Sequence, residues 1–216
     1  MKKKKLDIIY EDKELLVVNK PAKQLTIATH KQESNTLYHE VYEYVHQKHK
    51  KNRIFIVHRL DRDTSGIVVF AKNEKIKHLL QEHWNELAVT REYMAIVDGV
   101  IKEKGIIKSY LKETKTLRTY STKKKDGKLA ITEYEPITYH HNQTLLKIHI
   151  KTGRKNQIRV HMQDLGHPIL GDKKYGNGKD PFHRMALIAN KLELIHPVTH
   201  QKLVFETRLP KIFQNN

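Results

Sequence analysis

The sequence predicts an α+β fold in which helices flank a largely antiparallel, mixed β-sheet. Three observations support this class: short apolar runs of strand length recur along the chain, a few segments show helical spacing, and strands and helices do not alternate regularly. A chain of 216 residues is long enough for one substantial core. We therefore expect a single domain over residues 1–216, with residues 1–5 as a basic tail.

The first half of the chain supplies strands and two helices. The runs "LDIIY" and "ELLVV" predict two strands separated by the turn "EDK", and "NKPAKQL" interrupts the pattern at Pro21. The segment "LYHEVYEYVHQKHK" predicts a helix because Leu37, Val41 and Val45 are four residues apart. "GIVVFA" predicts a strand, and "NEKIKHLLQEHWNEL" predicts a helix capped by Asn73.

The second half is richer in strands. "TREYMAIVDG" predicts a strand that ends at Gly99, and "LAITEYEPI", "TLLKIHIKT", "RMALIANKLELI" and "KLVFETRLP" predict four more. "RKNQIRVHMQDLG" predicts a helix that stops at Gly166. Residues 112–128, here called the basic ribbon, read "KETKTLRTYSTKKKDGK" and predict a basic loop or hairpin, since cations dominate and "DG" favours a turn. The alternative is a solvated hairpin without a partner.

Composition limits the classes of function. The 41 Lys and Arg residues exceed the 24 Asp and Glu residues, which gives a net charge of +17 and a pI near 9.8. Such a surface attracts polyanions, with nucleic acid ranked first and an anionic membrane far behind, because the cations are spread through folded segments. The absence of cysteine excludes disulfides, thiolate metal sites and a cysteine nucleophile. No signal peptide or transmembrane run is recognisable, so we expect a cytoplasmic protein with no obligatory protein partner.

Histidine is frequent, with 15 residues, but no metal site is predicted. No H-E-x-x-H helix occurs and no recognised ligand spacing is present. We expect most of these histidines to lie at the surface or to face nucleic acid, among them His140, His141, His149, His161 and His167.

The stretch "VHRLDRDTSG" carries the chemistry. Asp61 lies between Arg59 and Arg62, and neighbouring cations favour an ionised carboxylate that can act as a nucleophile. The alternative is a self-bonded turn in which Asp61, Thr64 and Ser65 bond to the backbone.

This stretch resembles the H-R-L-D-x-x-T-S-G signature of the RluA-type RNA pseudouridine synthases. All seven fixed positions are filled, by His58, Arg59, Leu60, Asp61, Thr64, Ser65 and Gly66. "EDKELLVVNKPA", "REYMAIVDG" and "TGRKNQIRVHMQDLGHPILGDKKYG" also resemble family segments in the same order, so the resemblance extends from about Ile8 to Pro210. It implies a pseudouridine synthase-like fold and an isomerase that acts on ribosomal or transfer RNA without a cofactor or metal.

The resemblance also implies roles for individual residues. Asp61 corresponds to the catalytic carboxylate, Tyr93 to a tyrosine that stacks on the base or moves a proton, and Arg159 to a cation that orients Asp61. Arg59 is implicated in filling the space that the extruded uridine leaves. The expected substrate contacts are His58, Arg59, Arg62, Thr64, Arg118, Lys123, Lys124, Lys125, Arg154 and Ile158.

Two positions depart from the family pattern. Lys23 stands where the family usually has glycine, and Asn156 stands where it usually has histidine. We also expect no accessory RNA-binding domain ahead of the catalytic strands. Two other functions stay open: a non-catalytic RNA-binding maturation factor of the same fold, and a hydrolase that releases a free base.

Overall fold

A computed structural model describes residues 6–28 and 35–214. The predicted basic tail, residues 1–5, lies outside the described residues. The helices and strands, in chain order, are β1 (Ile8–Glu11), β2 (Leu15–Lys20), α1 (Leu37–Lys48), β3 (Phe55–Ile56), β4 (Ser65–Ala71), α2 (Glu74–Glu82), α3 (Trp84–Leu87), β5 (Ala88–Asp98), β6 (Gly105–Glu113), β7 (Thr119–Thr122), β8 (Lys128–His140), β9 (Gln143–Ile150), α4 (Gln157–Asp164), β10 (Leu187–Ile195) and β11 (Lys202–Glu206), followed by a short 3-10 turn at Lys211–Phe213. None of these helices has the length and apolar character that a membrane crossing requires.

The chain forms two compact units. The first contains the described residues up to Thr90 together with Asn190–Thr207, and the second contains Arg91–Ala189 and the described residues from Arg208 onward. Strands β5 and β10 each begin in one unit and end in the other. A single catalytic domain over the whole chain stays a prediction.

The first unit is built on antiparallel pairs. Strand β2 lies between β1 and β4, β3 also pairs with β4, and β10 pairs with β11. Strand β4 is buried throughout, which explains its continuous apolar run. Residues from β2, β4, α2, β10 and β11 form one apolar core that includes Val17, Val69, Leu80, Leu194 and Phe205. The side chain of Asn73 accepts from the backbone N–H of Ile76, as the capping prediction requires.

The second unit contains antiparallel strands in the order β5-β9-β8-β6-β7. Helix α4 contributes Ile158 and Met162 to its apolar core, which also holds Ile96 and Ile148. The basic ribbon comprises the end of β6, a turn, the edge strand β7, a second turn and the first residue of β8. The α+β class is thus confirmed.

One helix is shorter than predicted. The segment "NEKIKHLLQEHWNEL" divides at His83, whose ψ of 20° leaves the helical range, into α2 and the single turn α3. The histidine prediction is also wrong for His161, which is fully buried rather than at the surface.

Candidate active site

The loop that carries Asp61 is fixed at its end by a glycine. Gly66 has a φ of 118°, in the region that favours glycine, and lies opposite Lys20 where β4 pairs with β2. The backbone N–H of Thr64 donates to the carbonyl of Asp61 at 3.2 Å and closes a turn. Both the predicted site residue and the predicted turn are therefore present in the same loop.

Thr26 holds the residue before Asp61. Its hydroxyl donates to the carbonyl of Leu60 at 2.9 Å and accepts from the N–H of Leu60 at 3.3 Å. Both residues are buried, so these hydrogen bonds are shielded from water. The backbone that leads into Asp61 is thus attached to the segment after β2.

A buried lysine holds the residue after Asp61. The Nζ of Lys20 donates to the carbonyls of Pro21, Gln24 and Arg62 at 2.9, 2.6 and 3.0 Å, which uses all three of its protons. Burial lowers the pKa of the Lys20 ammonium to about 8, while the carboxylates of Asp63 and Asp61 act in the opposite direction. The Lys20 ammonium thus holds the loop through the carbonyl of Arg62. The negative charges of Asp61 and Asp63 in turn favour the protonated form of Lys20.

Sequence reasoning missed both of these residues. Lys20 belongs to the quoted "NKPA" stretch and is the last residue of β2, and a lysine at the end of a buried strand is a signal that could have suggested a structural role. Thr26 lies in a segment with no recognisable pattern, and its contact with Leu60 spans 34 positions of sequence.

His58 has protein partners on two sides. Its Nε2 accepts from the N–H of Val69 at 3.0 Å, and its ring stacks on Trp84 with centroids 4.6 Å apart. An accepting Nε2 places the proton of the neutral ring on Nδ1. These contacts attach the start of the loop to β4, and a substrate contact by His58 stays a prediction.

The remaining loop side chains differ in exposure. Asp61 is half-buried, Thr64 is buried, and Arg59 and Arg62 are exposed. A half-buried carboxylate on an immobilised backbone can be presented to a ligand at a defined position. Two exposed guanidiniums beside it are suited to phosphates.

The other predicted catalytic residues lie in the second unit. Tyr93, on β5, pairs with Ile148 of β9, is half-buried and packs against the apolar core of that unit. Arg159, on α4, is buried, so it is not a solvated helix cation. Its neighbour Ile158 is in the apolar core.

Arg159 forms a two-pronged ion pair with a carboxylate that the sequence did not single out. Its Nε and Nη2 donate to the two carboxylate oxygens of Asp172, both at 2.7 Å, and its Nη1 donates to Oδ1 of Asn156 at 2.8 Å. Burial alone raises the pKa of Asp172, but the hydrogen bonds and charge of Arg159, together with the backbone N–H groups of Tyr175 and Lys174, outweigh burial and hold that pKa below its usual range. The guanidinium plane is therefore fixed, whereas its predicted role towards Asp61 stays a prediction.

The basic ribbon lines a cleft in the second unit. The cleft has a volume of about 550 Å³ and is lined by Lys112, Lys128, Arg154 and Lys155, among others. Lys112 and Lys155 form ion pairs with Asp126 and Glu113, and Arg154 donates to the carbonyl of Leu129. Exposed predicted contacts on the ribbon itself are Arg118, Lys123, Lys124 and Lys125. The ribbon thus presents exposed cations that are suited to binding the phosphates of a polyanion.

The two residues that depart from the family pattern share an unusual backbone conformation. Lys23 has a φ of 67° and Asn156 a φ of 55°, so both adopt the left-handed conformation. The turn at Lys23 therefore keeps a shape suited to glycine without the glycine. Asparagine tolerates the left-handed region better than most residues, so Asn156 suits its position.

One group in the described part of the chain has the composition of a metal site: Asp12, Glu14 and His196. The Nδ1 of His196 accepts from the N–H groups of Val198 and Thr199 at 3.2 and 3.0 Å. The proton of the neutral ring is therefore on Nε2, which lies 3.0 Å from Oδ2 of Asp12. This tautomer offers no lone pair towards the carboxylates, so the cluster does not fit a metal ion.

Comparisons with known proteins identify a family. The family model described as RNA pseudouridylate synthase matches residues 14–164. The chain is 35% identical over 216 residues to the uncharacterized RNA pseudouridine synthase YhcT of Bacillus subtilis, covering 97% of this chain and 70% of that protein. It is 34% identical over 222 residues to ribosomal large subunit pseudouridine synthase D of Pasteurella multocida, covering 96% and 68% of the two chains.

Solved structures show the same fold. The human protein RNA pseudouridylate synthase domain containing 4 is similar with a TM-score of 0.79 at 22% identity, covering 96% of this chain and 90% of that one. The human protein RNA pseudouridylate synthase domain containing 1 is similar with a TM-score of 0.77 at 23% identity, covering 95% of this chain and 84% of that one.

Proposed function

The chain belongs to the RNA pseudouridylate synthase family, and we propose that it isomerises uridines of large-subunit ribosomal RNA with Asp61 as its catalytic carboxylate. Family membership identifies the enzyme as an RNA pseudouridine synthase, which is an isomerase. The choice of ribosomal over transfer RNA is supported by relatives named as synthases of the large ribosomal subunit, at 32–35% identity over nearly the whole chain. A cytoplasmic location stays a prediction.

The observation that carries the catalytic assignment is the fixation of the Asp61 loop. Thr26 binds both backbone groups of Leu60, Lys20 binds the carbonyl of Arg62, and the Asp61 carbonyl closes the turn with Thr64. A loop that only turns the chain needs no buried lysine bound to its backbone. Such a preorganised carboxylate suits covalent or electrostatic catalysis at a sugar, where small displacements cost rate.

The reaction breaks the bond between N1 of uracil and C1′ of ribose, and forms a bond between C5 and C1′. The hydrogen at C5 is lost and N1 gains one, so atoms balance without an oxidant or reductant. In the proposal, Asp61 adds to the ribose or the base, or stabilises positive charge on the sugar, while the base turns over. Tyr93 stacks on the detached base and assists proton transfer, and Arg159 supports the ionised carboxylate.

The non-catalytic alternative is disfavoured. A protein that only binds RNA gains nothing from a carboxylate presented to an anionic ligand, yet Asp61, Tyr93 and Arg159 are all retained. A hydrolase would release free uracil, whereas an isomerase conserves mass.

The test is to map pseudouridines by carbodiimide labelling and reverse transcription in cells that lack this protein, complemented with variants. We expect wild type to restore specific sites in large-subunit RNA and Asp61→Asn to restore none, while its affinity for that RNA stays near wild type. Asp7→Asn, which makes the same charge change at an exposed aspartate outside the loop, is the control and should restore most modification. Restoration by Asp61→Asn would refute the catalytic assignment, and sites confined to transfer RNA would refute the substrate.

A further inference from the structure

Asn156 lies where the basic ribbon, α4 and the turn over residues 172–176 meet within the second unit. Its side chain is buried, and its carboxamide has partners at both ends. Oδ1 accepts from Arg159, and Nδ2 lies 3.3 Å from both the Thr119 hydroxyl and the Tyr175 hydroxyl. Because a guanidinium has no acceptor, the contact with Arg159 fixes which end of the amide is oxygen.

Arg159 is held from two directions by this arrangement. Asp172 binds its Nε and Nη2, and Asn156 binds its Nη1. Asp172 is itself oriented, since its Oδ1 also accepts from the N–H groups of Lys174 and Tyr175. Removal of the Asn156 oxygen deprives a buried, charged donor of an acceptor, which disfavours the observed orientation of the guanidinium.

The other end of the amide reaches the ribbon. Thr119 begins strand β7, is buried and accepts from Asn156 through its hydroxyl, while its N–H donates to the Tyr175 hydroxyl at 3.0 Å. The neighbouring Arg118 lies over the Tyr175 ring, 5.2 Å from the centroid. One side chain thus connects β7, the strand that lies between Arg118 and the lysines 123–125 of the ribbon, to the guanidinium of Arg159.

We propose that Asn156 is a positioning residue that orients Arg159 for the isomerisation and connects that orientation to the RNA-gripping ribbon. The proposal rests on the proposed function, in which Arg159 acts at the catalytic site and the ribbon binds RNA. Asn156 itself touches neither the uridine nor the phosphates. Its contribution is to the rate of the chemical step rather than to affinity.

Two substitutions distinguish the contribution of the Asn156 oxygen from that of its side-chain nitrogen. Asn156→Gly removes the side chain but suits the left-handed backbone, and we expect the single-turnover rate at saturating RNA to fall by about tenfold, the effect of one lost hydrogen bond to a charged group. RNA affinity should stay within about threefold of wild type, because the ribbon cations are unchanged. Asn156→Asp keeps an acceptor for Nη1 and loses the donors, so it should recover most of the rate.

A matched control and a double variant make the result decisive. Asn142→Gly changes an exposed asparagine with a φ of 59°, and it should keep the wild-type rate. Arg159→Lys should itself slow the reaction, and Asn156→Gly should add little in that background, because contacting residues that act together are not additive. A wild-type rate in Arg159→Lys would refute the role of Arg159 in the proposed function. If Arg159→Lys slowed the single-turnover reaction but Asn156→Gly kept the wild-type rate, the positioning role of Asn156 would be refuted. This holds even if Asn156→Gly lowers the thermal stability of the protein.

Discussion

At the residue scale, the arrangement around Asp61 depends on a lysine that makes no contact with solvent. Lys20 is fully buried, and its charge is balanced by three carbonyl dipoles and by the field of two aspartates. Isolated buried ammonium groups are unfavourable, so such a lysine remains only where its hydrogen bonds are complete. One of those carbonyls belongs to Arg62, next to Asp61, so the protonation state of Lys20 affects the loop.

Lys20→Met should slow the single-turnover reaction at saturating RNA by at least about tenfold, since three buried carbonyls lose their donor and the loop loses its support. The wild-type rate should also fall between pH 7 and pH 9, because the pKa of Lys20 is about 8 and a neutral amine has only two protons for three carbonyls. The variant should show no such fall. Lys13→Met, which changes an exposed lysine, is the control.

Stability distinguishes this effect from general alkaline damage. The folded-state pKa of Lys20, about 8, is below the ordinary value of 10.5, so between these values the unfolded chain binds more protons. Proton linkage therefore predicts that the titration of Lys20 increases the free energy of unfolding as the pH rises through this range. A wild-type rate that stays constant to pH 9, or that falls only in parallel with unfolding, would contradict the role of Lys20.

At the scale of elements, α4 carries a buried titratable residue, His161. His161 is fully buried, with Nδ1 2.8 Å from the Thr132 hydroxyl and Nε2 3.0 Å from the Ser109 hydroxyl. Burial lowers the pKa of His161 to about 4, although the charge of Asp164 acts in the opposite direction. The helix is thus attached to β8 and β6 through a neutral ring.

This gives α4 a predicted acid sensitivity. Because the folded-state pKa of His161 lies below its ordinary value of 6.5, its contribution is complete above pH 6.5 and is lost as the pH falls towards 4. Linkage predicts a loss of about 2 kcal/mol in the free energy of unfolding between pH 7 and pH 5. Urea denaturation should show this loss in wild type and in the exposed control His140→Gln, and much less of it in His161→Gln. An equal loss in all three proteins would assign the sensitivity to other groups.

The elements were predictable where their signals are local. Spacing predicted α1, the apolar run predicted β4, and Asn73 identified the start of α2, because each signal lies within a few residues. The seven-position signature is just as local and identifies Asp61, whose catalytic role stays a prediction. What could not be predicted is which buried polar groups meet: the bond from Lys20 to Arg62 spans 42 positions, and that from Asn156 to Thr119 spans 37. Composition does not encode these pairings, since they depend on strand register and on how α4 packs.

At the scale of the whole molecule, a net charge of +17 allows two explanations of RNA binding. A diffuse positive field attracts any polyanion from a distance, but charges separated by more than about 8 Å are largely screened at physiological salt. Localised contacts at the basic ribbon bind particular phosphates and release their counterions. The two explanations predict different results when equal charge is removed from different places.

The decisive comparison removes three lysines from the ribbon or three from the first unit. Lys123, Lys124 and Lys125 are exposed beside β7, whereas Lys50, Lys51 and Lys75 are exposed beside α1 and in α2, and each triple change to alanine lowers the net charge by three. If the ribbon grips RNA, its triple variant should flatten the slope of log affinity against log salt by up to about 0.7 per lost contact, while the control keeps the wild-type slope. Single-turnover rates at saturating RNA should match wild type in both, because these lysines contact phosphates rather than the reacting uridine. Equal salt slopes in the two variants would show that the diffuse field governs binding. A slower single-turnover rate at saturating RNA in the ribbon variant alone would mean that these lysines help to extrude the uridine as well as to hold the RNA backbone.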